Sequence, residues 1–89
     1  MYKIIYHPKV ANDLAGLSSD WQEKIKWVIQ EKLTTSPDIY GKPLRKSLKG
    51  HWKLRVGDYR IIFKIEKDLV KILIIGHRSV VYNQTEKRI

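Results

Sequence analysis

A chain of 89 residues with 43% hydrophobic side chains is long enough for one folded domain with one modest core, so residues 1–89 are expected to form a single domain. It has no cysteine, which excludes disulfides, thiolate metal sites and a cysteine nucleophile, and its histidines lack a metal-ligand spacing. We therefore expect neither a metal nor another cofactor. No signal-peptide or membrane-spanning run is present, so a cytoplasmic protein is expected.

The net charge of +9 is distributed unevenly along the chain. Residues 1–41 carry five basic and five acidic side chains, whereas residues 42–89 carry 13 basic and four acidic ones. A basic C-terminal half indicates binding to nucleic acid or to an acidic protein partner. Because no basic amphipathic helix is apparent, an anionic membrane is a poorer candidate.

The N-terminal part of the chain predicts one strand and then two helices. Residues 2–6 have strand composition, and apolar positions recur at helical spacing from Val10 to Leu17. A second helix begins at Ser19 or Asp20, since either residue has the spacing of a capping box, and it ends before the sequence Thr-Thr-Ser-Pro. The short gap between the two helices indicates an antiparallel pair.

Trp27 lies nearly opposite the apolar stripe of the second helix. An outward-facing tryptophan either covers the edge of the helix pair or a loop, or it contacts a partner protein. Trp27 is therefore a candidate residue for a partner interface.

A basic loop, residues 37–50, joins the second helix to the next strand. Leu44 and Leu48 can attach it to the core, which leaves its basic side chains for solvent or for phosphate. Because the loop leads directly into a basic hairpin, phosphate contact is the favoured role, although no glycine-rich phosphate-binding motif is present. The candidate phosphate-binding residues are Lys42, Arg45, Lys46 and Lys49, together with Lys64 in the hairpin.

The sequence WKLRVGDYRIIF, residues 52–63, predicts two strands joined by a type II′ turn at Gly57-Asp58. This turn pairs Arg55 with Arg60 and gathers the alternate apolar residues on one face. Facing arginines destabilise a sheet by up to roughly 1 kcal/mol, so a chain that keeps them indicates an anion-binding site. A solvated basic face is the alternative, since salt screens such charges. The basic face comprises Lys53, Arg55, Arg60 and Lys64.

Residues 69–75 are apolar on both faces apart from Lys71 and predict a central strand. A two-residue turn before this strand predicts that Phe63 pairs with Ile72, Ile61 with Ile74, and Arg60 with Ile75. The tail from Ser79 is expected to form no more than a final helical turn or strand. The expected class is α+β, in the order β-α-α-β-β-β. Two antiparallel N-terminal helices pack on one face of a small, mostly antiparallel four-stranded sheet, and the opposite face is basic and open.

The sequences WKLRVGDYRIIF and IGHRSVVY together resemble the RelE branch of the RelE/ParE toxin superfamily, and the resemblance covers nearly the whole chain. It implies a RelE-like toxin of a type II toxin–antitoxin pair, whose antitoxin has an acidic toxin-binding segment. RelE-type members cleave messenger RNA in the ribosomal A site without metal, which implies an endoribonuclease with ribosome and mRNA as partners. ParE-type members share the fold but inhibit DNA gyrase. A nucleic-acid-binding domain without catalysis is a third possibility.

The resemblance also assigns roles to residues of the basic face. Lys53 is similar to the lysine that acts as a base on the 2′-hydroxyl of the RNA. Arg55 matches the next basic position, which is lysine in some relatives, and Arg60 matches the arginine that follows the hairpin tyrosine. The expected products are a 2′,3′-cyclic phosphate and a 5′-hydroxyl.

Three residues after the last strand complete the candidate catalytic set. Arg78 matches a candidate general acid, and Tyr82 matches the late tyrosine that stacks on or orients the substrate. His77 has no fixed equivalent in every branch, and it is the alternative to Arg78 as proton donor. The full set is Lys53, Arg55, Arg60, His77, Arg78 and Tyr82.

Overall fold

The fold is a helical layer on a five-stranded sheet, seen in a computed structural model that describes residues 1–89. The strands are β1 (Lys3–Tyr6), β2 (Lys42–Pro43), β3 (Trp52–Val56), β4 (Tyr59–Glu66) and β5 (Leu69–His77). The helices are α1 (Val10–Ala15), α2 (Ser19–Val28), α3 (Pro37–Tyr40) and α4 (Val81–Arg88); a π-helical segment (Ile29–Leu33) continues α2, and a 3₁₀ turn (Lys46–Leu48) precedes β3. None of the helices has the length and apolarity that crossing a membrane requires.

The sheet has the strand order β1-β5-β4-β3-β2. β1 runs parallel to β5, and every other neighbouring pair is antiparallel. The predicted α+β class and the mostly antiparallel sheet are therefore confirmed. The predicted count of four strands is wrong by one, because the short strand β2 forms within the predicted loop and pairs with the start of β3.

The β3–β4 hairpin forms in the predicted register. Val56 pairs with Tyr59, and Arg55 pairs with Arg60. Gly57 is the only central residue of the turn with a positive φ, 61°, as a type II′ turn requires. A Cβ atom at Gly57 would lie 2.4 Å from the ring of Trp21, so the turn packs directly on the beginning of α2.

A β-bulge in β5 changes the predicted register of the second hairpin. The pairing of Phe63 with Ile72 is confirmed, but Ile61 pairs with Ile75 rather than with Ile74. One extra residue on one strand exchanges the two faces for every residue beyond it. Ile75 consequently faces the helical layer, and Ile74 faces the opposite side.

The bulge also corrects the predicted neighbour of Arg60. Arg60 pairs with Gly76 and not with Ile75. A residue without a side chain therefore lies beside the arginine on the basic face. A Cβ atom at Gly76 would come within 3.3 Å of the Val81 side chain, so β5 and α4 approach each other closely there.

The main core lies between the sheet and the helices α1 and α2. The predicted apolar stripe of the second helix is confirmed, since Ile25, Val28, Ile29 and Leu33 are buried. The predicted helix start at Ser19 is confirmed, but the capping residue is Ser18 rather than Ser19 or Asp20, since the Oγ of Ser18 accepts a hydrogen bond from the N–H of Trp21 at 3.3 Å. The buried residues of this core are Val10, Ile25, Val28, Ile29, Leu33, Leu54, Val56, Ile61, Phe63, Val70, Ile72 and Ile75.

The second face of the sheet, opposite this core, is only partly open. The eight-residue helix α4 packs on it, and Val81 forms a small core with Ile62 and Ile74. The expectation of no more than one helical turn at the C-terminus is therefore wrong. The apolar positions Ile62 and Ile74 on the second face explain why a helix covers that part of the sheet.

Candidate functional site

A cavity of 310 Å³, called here the basic cavity, opens beside the edge of β3. β2 pairs only with Trp52 and Lys53, so the edge of β3 opposite β4 is uncovered at Arg55. Four cationic side chains contribute to the lining, and they create a positive potential that favours phosphate binding. The lining residues are Tyr40, Lys42, Lys53, Leu54, Arg55 and Arg60.

The facing arginines of the hairpin are held differently. Nη1 of Arg60 donates hydrogen bonds to the carbonyl oxygens of Gly57 at 3.0 Å and Tyr59 at 2.9 Å. These bonds hold the guanidinium group against the hairpin turn, whereas the side chain of Arg55 is exposed and makes no hydrogen bond within the chain. Because Nε and Nη2 of Arg60 also lack a partner in the chain, they are free to bind an anion.

Helix α4 brings Tyr82 to the border of the basic cavity. Nζ of Lys53 lies 5.8 Å from the centroid of the Tyr82 ring, within the range of a cation–π contact. The preceding residue, Val81, is completely buried and fixes this end of the helix on the sheet. Lys53 thus contacts the ring of Tyr82 and also lines the basic cavity.

His77 and Arg78 lie at the end of β5, against the hairpin turn, and they do not line the basic cavity. The N–H of Arg78 donates a hydrogen bond to the carbonyl oxygen of Asp58 at 2.8 Å. The Nε atom of Arg78 is 3.7 Å from Oδ1 of the Asp58 carboxylate, in a pair that is mostly exposed. Arg78 and Arg60 therefore contact the same turn.

The imidazole of His77 has a defined orientation. Its ring is edge-on to the ring of Tyr59, with centroids 5.8 Å apart and an interplanar angle of 85°. Nδ1 accepts a hydrogen bond from the N–H of Ser79 at 3.1 Å and lies 2.8 Å from Oγ of Ser79. In the neutral ring the proton is therefore assigned to Nε2.

The candidate phosphate-binding residues occupy three places. Lys42 lines the basic cavity, and Arg45, Lys46 and Lys49 are exposed in the loop before β3. Lys64 lies outside the cavity, with Nζ 3.6 Å from Oε1 of Glu66. The hydrogen bond and positive charge of Lys71, together with Lys64, lower the pKa of Glu66, so this part of the basic face is partly neutralised.

Trp27 is 60% exposed on α2, in the helical layer on the other side of the molecule from the basic face. The assignment of Trp27 to a partner interface stays a prediction.

Tyr40 is a lining residue that sequence reasoning missed. It ends α3, and the residue is 47% exposed. Nζ of Lys32 lies 5.2 Å from the ring centroid. The one signal in the sequence was an aromatic residue directly before the basic segment Gly41-Lys42.

Comparison with known families gives one match that covers most of the chain. The family described as "ParE toxin of type II toxin-antitoxin system, parDE" matches residues 4–82. Toxin RelE of Mycobacterium tuberculosis is 38% identical over 89 residues, which cover 98% of this chain and 92% of that protein. Toxin RelG of the same organism is 37% identical over 54 residues, 58% of this chain and 62% of RelG, so that match spans less than two thirds of the relative.

Solved structures of two relatives have the same fold. The RelBE2 toxin–antitoxin complex from M. tuberculosis matches with a TM-score of 0.82 and 29% identity over 86% of this chain and 98% of that chain. The isolated RelE toxin of E. coli matches with a TM-score of 0.72 and 24% identity over 99% of this chain and 98% of that chain. At the latter identity the likeness concerns the fold alone.

Proposed function

Because this chain belongs to the RelE/ParE toxin superfamily, as a RelE-like toxin of a type II toxin–antitoxin system, we propose that it is a ribosome-dependent endoribonuclease that cleaves messenger RNA in the ribosomal A site and inhibits translation. One observation carries this proposal. Lys53, Arg55 and Arg60 meet in the basic cavity, and the ring of Tyr82 lies at its border. This arrangement combines a base, phosphate-binding cations and a stacking surface, which metal-independent RNA cleavage needs.

In the proposed reaction, Lys53 accepts the proton of the 2′-hydroxyl, and the 2′-oxygen forms a bond to the adjacent phosphorus. The bond from phosphorus to the 5′-oxygen breaks, and that oxygen takes a proton. The products are a 2′,3′-cyclic phosphate and a 5′-hydroxyl.

The arginines stabilise the charge that develops on phosphorus. Nε and Nη2 of Arg60 are free to donate to a non-bridging oxygen, while Nη1 holds the side chain against the turn. Arg55 faces Arg60 across the hairpin and adds a second positive charge. Donors that are ordered before the substrate arrives contribute most in the transition state, and each is worth roughly 3–4 kcal/mol.

Two side chains are candidates for the proton donor to the 5′-oxygen. Arg78 matches the position of the general acid in the family, and His77 offers the Nε2–H of an oriented imidazole. An RNA with sulfur in place of the 5′-bridging oxygen has a leaving group that needs no proton. Arg78→Ala and His77→Ala are each assayed with this substrate. If Arg78 is the acid, the cleavage rate of Arg78→Ala is restored and that of His77→Ala is not; if His77 is the acid, the reverse holds.

The cognate antitoxin is the second proposed partner. Residues 42–89 hold all of the excess positive charge, so the toxin-binding segment of the antitoxin is acidic and covers the basic face. Trp27 extends the contact to the helical layer. We expect expression of the chain alone to arrest growth, and coexpression of the companion protein to relieve the arrest.

A gyrase inhibitor is the alternative, because the matching family is described by its ParE member. Primer extension on mRNA from translating ribosomes separates the two activities. Breaks within reading frames support the nuclease, particularly if Lys53→Ala removes them and Lys3→Ala, a change on the far edge of the sheet, does not. Intact mRNA together with gyrase-cleaved DNA overturns the nuclease and supports gyrase inhibition.

A further inference from the structure

We propose that Tyr40 forms a base-stacking subsite of the basic cavity. Its ligand is an unstacked base of single-stranded RNA, next to the phosphate that the cavity cations bind. The inference rests on the proposed function, because it adds a second substrate contact to the same site. No part of the sequence resemblance assigns a role to this residue.

The backbone on either side of Tyr40 is fixed by close packing. Gly41 lies so near the core that a Cβ atom there would be 2.6 Å from Cζ of Phe63 and 2.8 Å from the carbonyl oxygen of Pro37. Lys42 then pairs with Lys53 in the sheet. Tyr40 is thus held between a residue packed on the core and a residue of β2, although its own side chain is half exposed.

The ring of Tyr40 lies close to a cation. Nζ of Lys32 lies 5.2 Å from the ring centroid, which is cation–π range. A ring that is held before the ligand binds loses little conformational entropy when it stacks. The only other aromatic contact at this site is made by Tyr82, so the two rings form the available stacking surfaces.

Tyr40 and Tyr82 lie on different sides of Lys53. Tyr40 precedes β2, which is the edge strand next to β3. Tyr82 belongs to α4, which packs over Ile62 of β4 and Ile74 of β5, on the other side of β3. A phosphate bound at Lys53 therefore has one aromatic ring toward each side.

This placement suits an RNA strand whose bases are splayed apart at the bound phosphate. Single-stranded RNA is recognised by bases that stack on aromatic side chains while cations hold the backbone. The base on one side of the phosphate stacks on Tyr82, and the base on the other side stacks on Tyr40. Tyr40 therefore contacts the substrate, and its contribution to RNA affinity depends on the presence of a base.

Binding of a 2′-O-methyl trinucleotide to the full-length chain tests the subsite without cleavage. Tyr40→Phe keeps the ring and retains affinity, whereas Tyr40→Leu weakens binding roughly 5- to 150-fold, the range for loss of one base–aromatic stack. Tyr6→Leu is the matched control, because Tyr6 is also 47% exposed but lies on β1, at the opposite edge of the sheet. It leaves the affinity unchanged.

A trinucleotide with one abasic position identifies the contact. If Tyr40 stacks on a base, Tyr40→Leu does not change the affinity for the oligonucleotide that lacks this base. An equal affinity of Tyr40→Leu and wild type for the intact trinucleotide overturns the proposal, as does a loss that persists with every abasic oligonucleotide. The two proposals can fail separately. If the wild-type chain binds the trinucleotide and Tyr40→Leu weakens that binding, but mRNA on ribosomes is not cleaved, the subsite is supported and the nuclease proposal is overturned.

Discussion

Asp13 and Arg88 form a bidentate ion pair that joins α1 to the last residue of α4. Nη1 of Arg88 donates to Oδ2 of Asp13 at 2.7 Å, and Nη2 donates to Oδ1 at 3.1 Å. Nη1 also donates to the carbonyl oxygen of Leu73 at 3.1 Å, and Oδ2 of Asp13 accepts the N–H of Ile75 at 3.1 Å. The pair therefore binds two main-chain groups of the bulge in β5.

These main-chain groups need partners because β1 ends too early to supply them. β1 pairs with β5 only as far as Ile72, so the edge of β5 is uncovered from Leu73 onward. The Asp13–Arg88 pair supplies the hydrogen-bond partners of this edge that a neighbouring strand would otherwise supply. It also fastens α4, which carries Tyr82, to the helical layer.

Arg88→Ala should lower the free energy of unfolding by about 3 kcal/mol, because it leaves a carboxylate and a strand edge without partners. The side chains of Arg88 and Asp13 are only 14% and 12% exposed, so water replaces little of the lost contact. Thermal denaturation and urea titration measure the effect. The control is Lys87→Ala, which removes an exposed charge from the same helix. Equal midpoints for the two variants would show that the pair contributes no stability.

Gly57→Ala should destabilise the chain by at least about 2 kcal/mol, through strain at positive φ and a clash with a packed ring. The φ of Gly57 is 61°, and an added Cβ atom would lie 2.4 Å from Trp21. Gly50→Ala is the control for backbone strain alone, because Gly50 has a φ of 96° but no atom within 4 Å of an added Cβ.

The clash has its own test. In a Trp21→Leu background, the cost of Gly57→Ala should fall toward the cost of backbone strain. A cost of Gly57→Ala that is unchanged in this background contradicts the packing of the turn on α2.

The first hairpin was predictable because its register follows from local chemistry. A glycine at the first central position fixes the turn, and the turn fixes the pairing of Arg55 with Arg60. The alternation of apolar residues agrees with the same register, so two independent signals give one answer. The residues of the basic face could be predicted from this register alone.

The remaining features depend on contacts that are distant in sequence. The bulge in β5 has no glycine or proline to mark it, and the segment 72–75 is apolar on both faces, so either register buries an isoleucine. Asp13 and Arg88 are 75 positions apart, and no local pattern pairs them. The position of Tyr40 depends on the packing of Gly41 against Phe63, which only the folded chain brings together.

His51 should make the chain less stable as the pH falls. Burial, and then the positive charge of Lys64, lower the pKa of His51 below its unfolded value of about 6.5. Its Nδ1 is buried without a hydrogen-bond partner. Since the unfolded state then binds the proton more readily, stability is full above about pH 6.5 and declines as the pH falls from there toward the folded pKa.

Denaturant titrations at pH 7.5 and pH 5.5 measure this decline. His51→Gln should reduce the difference between the two pH values, and Lys64→Met should reduce it in part by removing the neighbouring charge. Lys3→Met, an exposed lysine on β1, is the matched control. If His51→Gln loses as much stability on acidification as wild type, another group is responsible.

The exposed loop lysines should contribute to RNA affinity through charge alone. Each phosphate neutralised adds roughly 0.7–0.9 to the slope of log K against log salt, so replacing Lys46 and Lys49 with alanine should reduce that slope. The cleavage rate at saturating ribosomes should stay near that of wild type, because neither residue lines the basic cavity. The pair Lys3 and Lys9, near β1 at the other edge, serves as control. If the salt-dependence slope is the same for the Lys46/Lys49 and the Lys3/Lys9 double variants, the loop does not contact phosphate.

Arg60→Ala should remove cleavage while lowering the free energy of unfolding by only about 1–2 kcal/mol. Two hydrogen bonds to the carbonyls of Gly57 and Tyr59 are lost, at roughly 0.5–1.5 kcal/mol each, but the repulsion from Arg55, up to roughly 1 kcal/mol, is lost too.

The loss of transition-state stabilisation should be larger, roughly 3–4 kcal/mol, or between a hundredfold and a thousandfold in rate. Arg60→Lys keeps the charge but cannot hold the turn and bind phosphate at the same time, so it should recover only part of the rate. Lys67→Ala, in the exposed turn between β4 and β5, is the control for a lost charge. The thermal midpoint and the ribosomal cleavage rate should be measured on the same preparations. If Arg60→Ala melts far below wild type and its cleavage falls only in proportion to the unfolded fraction, Arg60 is a structural residue.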